Sequence, residues 1–184
     1  MATHRVAVIV GSLRKEAFSR RLAQALIAQQ PASLQMEIVD IAMPLYNQDL
    51  ETDNPPAEWT AYRDRIRAAQ AILFVTPEYN RGMPGAIKNA IDVGSRPYGK
   101  GAINGKPCAV ASNSPGALGG FGANHQVRQS VVFLEMPMMP APELYVGHVD
   151  KVLEAGGKVA NDATRELFAK FLDRFADFVQ RNAK

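Results

Sequence analysis

Apolar residues along this chain arrive in short runs, separated by segments in which they recur every three or four positions. The runs are Arg5 to Val10, Met36 to Ile41, Ala71 to Thr76, Pro107 to Ser112 and a weaker Leu144 to Gly147. A strand with one solvated face alternates polar and apolar positions, whereas a parallel strand covered by helices on both faces is apolar throughout. Several of the first four runs are of the second kind, so five parallel strands are predicted. Between them the spacing predicts helices over Ser19 to Gln29, Glu58 to Ala69, Pro84 to Ser95 and Ala123 to Met136, with a last one over Asp162 to Asn182. That last segment sets Leu167, Phe168, Phe171, Leu172, Phe175, Phe178 and Val179 at helical spacing, and Glu166 and Lys170 form an i,i+4 pair. Its aromatic stripe reads as core packing against the sheet.

Strands alternating with helices predict an α/β fold, a three-layer doubly wound sandwich whose five-stranded parallel sheet has the order 2-1-3-4-5. In such sheets a ligand belongs beyond the carboxyl ends of the strands, where the winding reverses. The loops that matter then begin at Gly11, Thr76 and Ser112.

Composition narrows the class. With 184 residues, 47% of them apolar, the chain suits a single domain over residues 1–184. Lys and Arg exceed Asp and Glu by only 3, and they are dispersed, so nucleic acid is not an expected partner. No export leader or membrane span is visible in the sequence. The single cysteine, Cys108, lies in an apolar run and suits a reducing cytoplasm. His4, His125 and His148 lack metal-ligand spacing, so no metal is expected.

After the first strand comes Gly11-Ser12-Leu13-Arg14-Lys15-Glu16-Ala17-Phe18-Ser19, leading into a helix. A helix amino terminus offers unpaired N–H groups and partial positive charge to an anion. Ser12 and Ser19 add hydroxyls, and Arg14 adds a fork for phosphate oxygens. Neither G-x-G-x-x-G nor G-x-x-x-x-G-K-[ST] occurs, so the loop reads as a cradle for a terminal phosphate monoester. The alternative is that the serines cap the helix and Arg14 is solvated. The third strand ends in Thr76-Pro77-Glu78-Tyr79-Asn80-Arg81-Gly82-Met83-Pro84-Gly85. This stiffened turn can aim backbone N–H groups at the edge of a heteroaromatic ring and pack Tyr79 near its face.

With these pieces, and with Pro84-Gly85-Ala86-Ile87-Lys88-Asn89-Ala90-Ile91-Asp92 and Gly105-Lys106-Pro107, the chain resembles the NAD(P)H-dependent FMN reductase family, with its quinone, chromate and azo reductases. The resemblance runs from about His4 to Gly147. It implies that Gly11, Ser12, Leu13, Arg14 and Ser19 cradle the FMN phosphate. It implies too that Pro77, Glu78, Tyr79 and Asn80 border the isoalloxazine ring, and that Ser112, Ser114 and Gly116 complete the site. Catalysis then falls to the flavin, with no catalytic side chain required. Ala17, Arg81 and Val93 depart from the family pattern. Arg81 and Arg96 are candidates to meet the acceptor or the nicotinamide cofactor. The family's common dimers and tetramers make Arg128 and Glu143 candidate interface charges, exposed surface charge being the alternative.

The implied activity is a ping-pong transfer from NAD(P)H to a small-molecule acceptor, quinones first, then azo compounds, chromate or free flavin. Two other readings stay open at this stage: an FMN electron carrier that does not react with NAD(P)H, and a flavin-free module on the same fold. Asp40 lacks the glycine fingerprint that would make it a ribose ligand, and no G-x-S-x-G elbow supports a hydrolase. Lys88, Asn89 and Asp92 read as helix and subunit packing.

Overall fold

The computed structural model describes residues 3–183. Its five strands are β1 (His4–Val10), β2 (Leu34–Val39), β3 (Ala71–Pro77), β4 (Cys108–Asn113) and β5 (Leu144–Val146). They form one sheet in the order β2-β1-β3-β4-β5, and every pairing is parallel. The helices are α1 (Phe18–Ala28), α2 (Ala57–Ala68), α3 (Gly85–Gly94), α4 (Phe121–Val132), a single turn α5 (Val149–Val152) and α6 (Asp162–Asn182). The predicted three-layer arrangement is the one observed.

Both faces of the strands are buried, and the two-residue period assigns each side chain to a layer. Val6, Val8, Val10, Leu73 and Val75 pack under α1 and α6, against Leu22, Leu26, Phe168, Phe171, Phe175 and Val179. Ala7, Ile9, Ile72, Phe74 and Val110 face the other way, toward Trp59 and Ile66 of α2, Ile87 of α3 and Val127 of α4. The aromatic stripe of α6 is therefore core, and that helix has the predicted bounds, with Asn161 Oδ1 capping it by accepting the Thr164 N–H at 2.8 Å.

Several boundaries move. β2 begins two residues before the predicted start because His4 pairs with Leu34 in the ladder. Pro107 stays outside β4 and contributes only its carbonyl, which accepts the Ile72 N–H at 3.0 Å. Pro84 stands before α3, at its N-cap. α4 stops at Val132, short of the predicted Met136, because Glu135 takes a left-handed φ of 54°. The reversal of winding falls between β1 and β3, and the carboxyl ends of β1, β3 and β4 lie side by side there.

Candidate functional site

A cavity of about 150 Å³ opens at that reversal, lined by Ser12, Arg14, Ala17, Phe18, Ser19, Pro77, Glu78, Tyr79, Asn113, Ser114 and Pro115. Three loops, one from each of β1, β3 and β4, thus meet at one rim. Gly11 anchors the first of them, its N–H donating to the Val75 carbonyl at 2.8 Å. A Cβ at Gly11 would stand 3.1 Å from both Pro77 Cδ and Thr76 Oγ1, so glycine lets the first and second loops touch.

In the loop from Gly11 to Ser19 the helix start bears on the capping alternative. α1 starts at Phe18 with Ala17 at the N-cap, and no side chain caps it. Ser19 is therefore inside the helix, fully buried, and its Oγ has no hydrogen-bond partner. Ser12 Oγ accepts the Arg14 N–H at 3.4 Å, which shapes the loop locally. An unpartnered buried hydroxyl beside the unpaired first amides of a helix is a donor set lacking its acceptor. The capping alternative is set aside for Ser19.

The loop after β3, residues 78–84 and named the ring loop for its proposed role, closes as a tight turn, with Tyr79 and Gly82 exchanging two backbone hydrogen bonds of 2.9 Å each. Its two central residues, Asn80 at φ 51° and Arg81 at φ 65°, are both left-handed, as in a type I′ turn. Asparagine tolerates that region and arginine does not do so readily. Tyr79 is half exposed above the cavity. The Glu78 carboxylate is turned to α4, where Oε2 accepts the Ala123 N–H at 3.0 Å. On the third wall, Asn113 Nδ2 donates to the Thr76 carbonyl at 3.2 Å, and Gly116 N–H donates to Ser114 Oγ at 3.0 Å.

Not every predicted residue reaches the cavity. Ser112 is fully buried and its Oγ accepts from Asn124 Nδ2 at 3.2 Å, so Asn113, the next residue, stands on the wall in its place. Leu13 projects outward, and Gly11, Asn80 and Gly116 shape their loops without lining the cavity. Arg81 is exposed at the rim, 4.0 Å from Glu78. Arg96 sits beyond the carboxyl end of α3, bonded to Ser95 Oγ at 3.0 Å and lying over the Tyr46 ring, apart from the cavity residues. Arg128 and Glu143 approach each other within the chain at 3.5 Å, and Arg128 also donates to Asn124 Oδ1 at 2.9 Å. Asp40 accepts the Ala42 N–H at 2.9 Å, as a loop residue does. Among the described residues no group of His, Cys, Asp and Glu is placed to hold a metal ion.

The family model for NADPH-dependent FMN reductases matches residues 4–151. The chain belongs to that family. A quinone reductase of Pseudomonas putida is 58% identical over 178 residues, covering 96% of this chain and 95% of the relative. A 2-hydroxy-1,4-benzoquinone reductase of a Burkholderia species is 39% identical, with 96% of each chain covered. The solved structure of FerB, a flavoenzyme NAD(P)H:acceptor oxidoreductase from Paracoccus denitrificans, superposes with a TM-score of 0.92 at 36% identity, covering 99% of this chain and 100% of that one.

The rim residues fit the flavin nucleotide of this reductase family. Ser12, Arg14, Ser19 and the amino end of α1 form the donor set a phosphate monoester needs, and the Ser19 hydroxyl is buried without a partner. Sequence reasoning missed Asn113, and it missed Asn124 and Gln126, which tie the loops to α4. Strand alternation separates Asn113 from Ser112, but Asn124 and Gln126 sit on a helix with no local pattern to mark them.

Proposed function

We propose that this chain is an NAD(P)H-dependent, FMN-containing quinone reductase, and that the rim at the reversal of the sheet is its flavin site. The observation that carries the site is Ser19, whose buried hydroxyl stands unpartnered at the amino end of α1 beside Ser12 and Arg14. FMN, when bound, would supply the redox chemistry for a ping-pong transfer of two electrons from NAD(P)H to the acceptor. The chain itself binds, orients and tunes. Ser12, Arg14 and Ser19 hold the phosphate through charge-assisted hydrogen bonds. The loop from Pro77 to Asn80 borders the ring and presents backbone amides to it. Asn113, Ser114 and Pro115 form the facing wall. Tyr79, half exposed, and Arg81 stand where a planar acceptor or the nicotinamide cofactor would approach.

Quinones are the acceptors we favour, in keeping with the names of the relatives; chromate, azo compounds and free flavin are further substrates to be tried. We place the protein in the cytoplasm as a homodimer or homotetramer, a reading supported for the compartment by its one buried free thiol, Cys108. Visible spectroscopy tests the function: the purified protein is expected to be yellow, and anaerobic NADPH is expected to bleach it until a quinone restores the colour. A yellow protein that NADPH does not bleach would sink the reductase reading in favour of an electron carrier. A colourless protein that does not take up FMN would sink both.

A further inference from the structure

The ring loop cannot hold its position alone. Its turn carries two consecutive non-glycine residues in the left-handed region, and its own pair of hydrogen bonds fixes shape without fixing place. Place comes from α4. Glu78 Oε2 accepts the Ala123 N–H at 3.0 Å, and Gln126 Oε1 accepts the Met83 N–H at 2.8 Å, so the helix grips the loop at both ends. Between these grips the backbones nearly touch, since a Cβ on Gly122 would lie 2.5 Å from the Arg81 carbonyl oxygen. Gly120, the N-cap residue of α4, provides no side-chain cap. The cap is delivered from another element by Glu78, whose side chain is only 13% exposed and whose charge faces the partial positive end of the helix.

The same turn of α4 also holds the opposite wall. Asn124 donates to Ser112 at 3.2 Å, and Gly120 comes so close that a Cβ would stand 3.1 Å from the Asn113 carbonyl oxygen. Two walls of the rim therefore share a single brace. We propose that the first turns of α4 set the spacing of the ring loop against the fourth-strand loop. Glu78 is then a positioning residue, acting on the flavin through the backbone of its own loop while its carboxylate faces away. This rests on the flavin site argued above.

Glu78→Ala removes the acceptor for the Ala123 N–H, whereas Glu78→Gln keeps a carbonyl oxygen at the same reach while removing the charge and turning the other oxygen into an NH2 group. Two readouts separate the brace from the flavin reading. In the apoprotein, amide hydrogen exchange at Tyr79, Gly82 and Met83 is expected to speed up in Glu78→Ala and in Gln126→Ala, and to stay near wild type in Glu78→Gln. In fluorescence titrations of apoprotein with FMN, Glu78→Ala is expected to bind about tenfold more weakly, with Glu78→Gln within about twofold of wild type. Unchanged exchange in Glu78→Ala overturns the brace. FMN binding as weak in Glu78→Gln as in Glu78→Ala also overturns it, because the charge itself would then matter to the ring. A wild-type protein that takes up no FMN would remove the flavin reading and with it the positioning role, while the exchange data would still report whether α4 holds the loop.

Discussion

Replacing Ser19 by alanine is expected to move stability and cofactor affinity in opposite directions. The Ser19 hydroxyl is fully buried without a partner, and leaving such a group unsatisfied costs about 1–3 kcal/mol. Alanine removes that cost and is the better helix former by a few tenths of a kcal/mol, against the small void left by one oxygen. The apoprotein is therefore expected to gain about 1 kcal/mol, a rise in Tm of roughly 2–4 °C for a domain of this size. In the proposed site the hydroxyl meets a phosphate oxygen when FMN is bound, and a hydrogen bond to a charged group contributes about 1.5–3 kcal/mol. Losing it weakens FMN by about 10- to 100-fold, and the stabilisation that saturating ligand adds shrinks accordingly. Thermal melts of Ser19→Ala and wild type, each without and with FMN, are the assay. The variant should melt higher as apoprotein and lose that advantage on adding FMN. A variant that melts lower without ligand, or binds FMN as tightly as wild type, would refute the assignment of this hydroxyl to the phosphate.

Three further outcomes follow from other parts of the structure. Arg81→Gly places glycine where φ is 65°, and chemical denaturation is expected to show a gain of about 1 kcal/mol; a loss would show the turn to be unstrained. Arg63, 4% exposed, donates to Glu51 at 2.8 and 2.6 Å and to the Val93 carbonyl at 3.0 Å. Arg63→Ala strands the Glu51 carboxylate and is expected to cost about 3 kcal/mol in the same assay, whereas a cost near zero would mean the pair is solvated. Burial and the neighbouring Glu143 push the Tyr145 phenol up to about 12. Its unfolded value is about 10, so the folded state holds this proton more tightly, and the associated stability is complete below about pH 10 and lost as the pH rises to about 12. A pH series of denaturation midpoints should show that decline in wild type and less of it in Tyr145→Phe; equal declines would refute it.

What the sequence made legible is what burial dictates locally. β1, β3 and β4 are buried on both faces and had to be apolar at nearly every position, and α6 had to carry its stripe at helical spacing. The three loops of the rim were legible for a related reason, since strand ends and helix starts fix where they fall. Long-range polar contacts left no such trace. Asn89 reads as helix packing, yet its Oδ1 accepts the Tyr46 N–H at 2.8 Å and its Nδ2 donates to the Pro44 carbonyl at 3.0 Å, tying down the segment after β2. Glu78 reads as part of the ring border, yet its carboxylate caps a helix whose start is more than forty positions away in the chain. The choice between Ser112 and Asn113 turned on the phase of a strand at its last residues, where alternation gives way to the loop.

The departures from ordinary folding rules gather where the function is proposed. Among the described non-glycine residues with positive φ, Asn80 and Arg81 follow the carboxyl end of β3 at the rim, His148 follows that of β5, and Glu135 follows α4. The buried hydroxyl of Ser19 lies at the same edge. Rules of propensity and polar satisfaction are kept across the sheet and its two cores, and local violations persist where surrounding structure over-determines them. α4 is the part that over-determines them here, since it holds the ring loop through Glu78, Gly122 and Gln126. The Tyr62 hydroxyl, buried beside Gly94 and unpartnered, is an exception with no compensating contact among the described residues. Tyr62 lies in the middle of α2 beside the carboxyl end of α3, whereas Ser19 lies at the amino end of α1, where the proposed phosphate site brings helix amides, Arg14 and a cavity together.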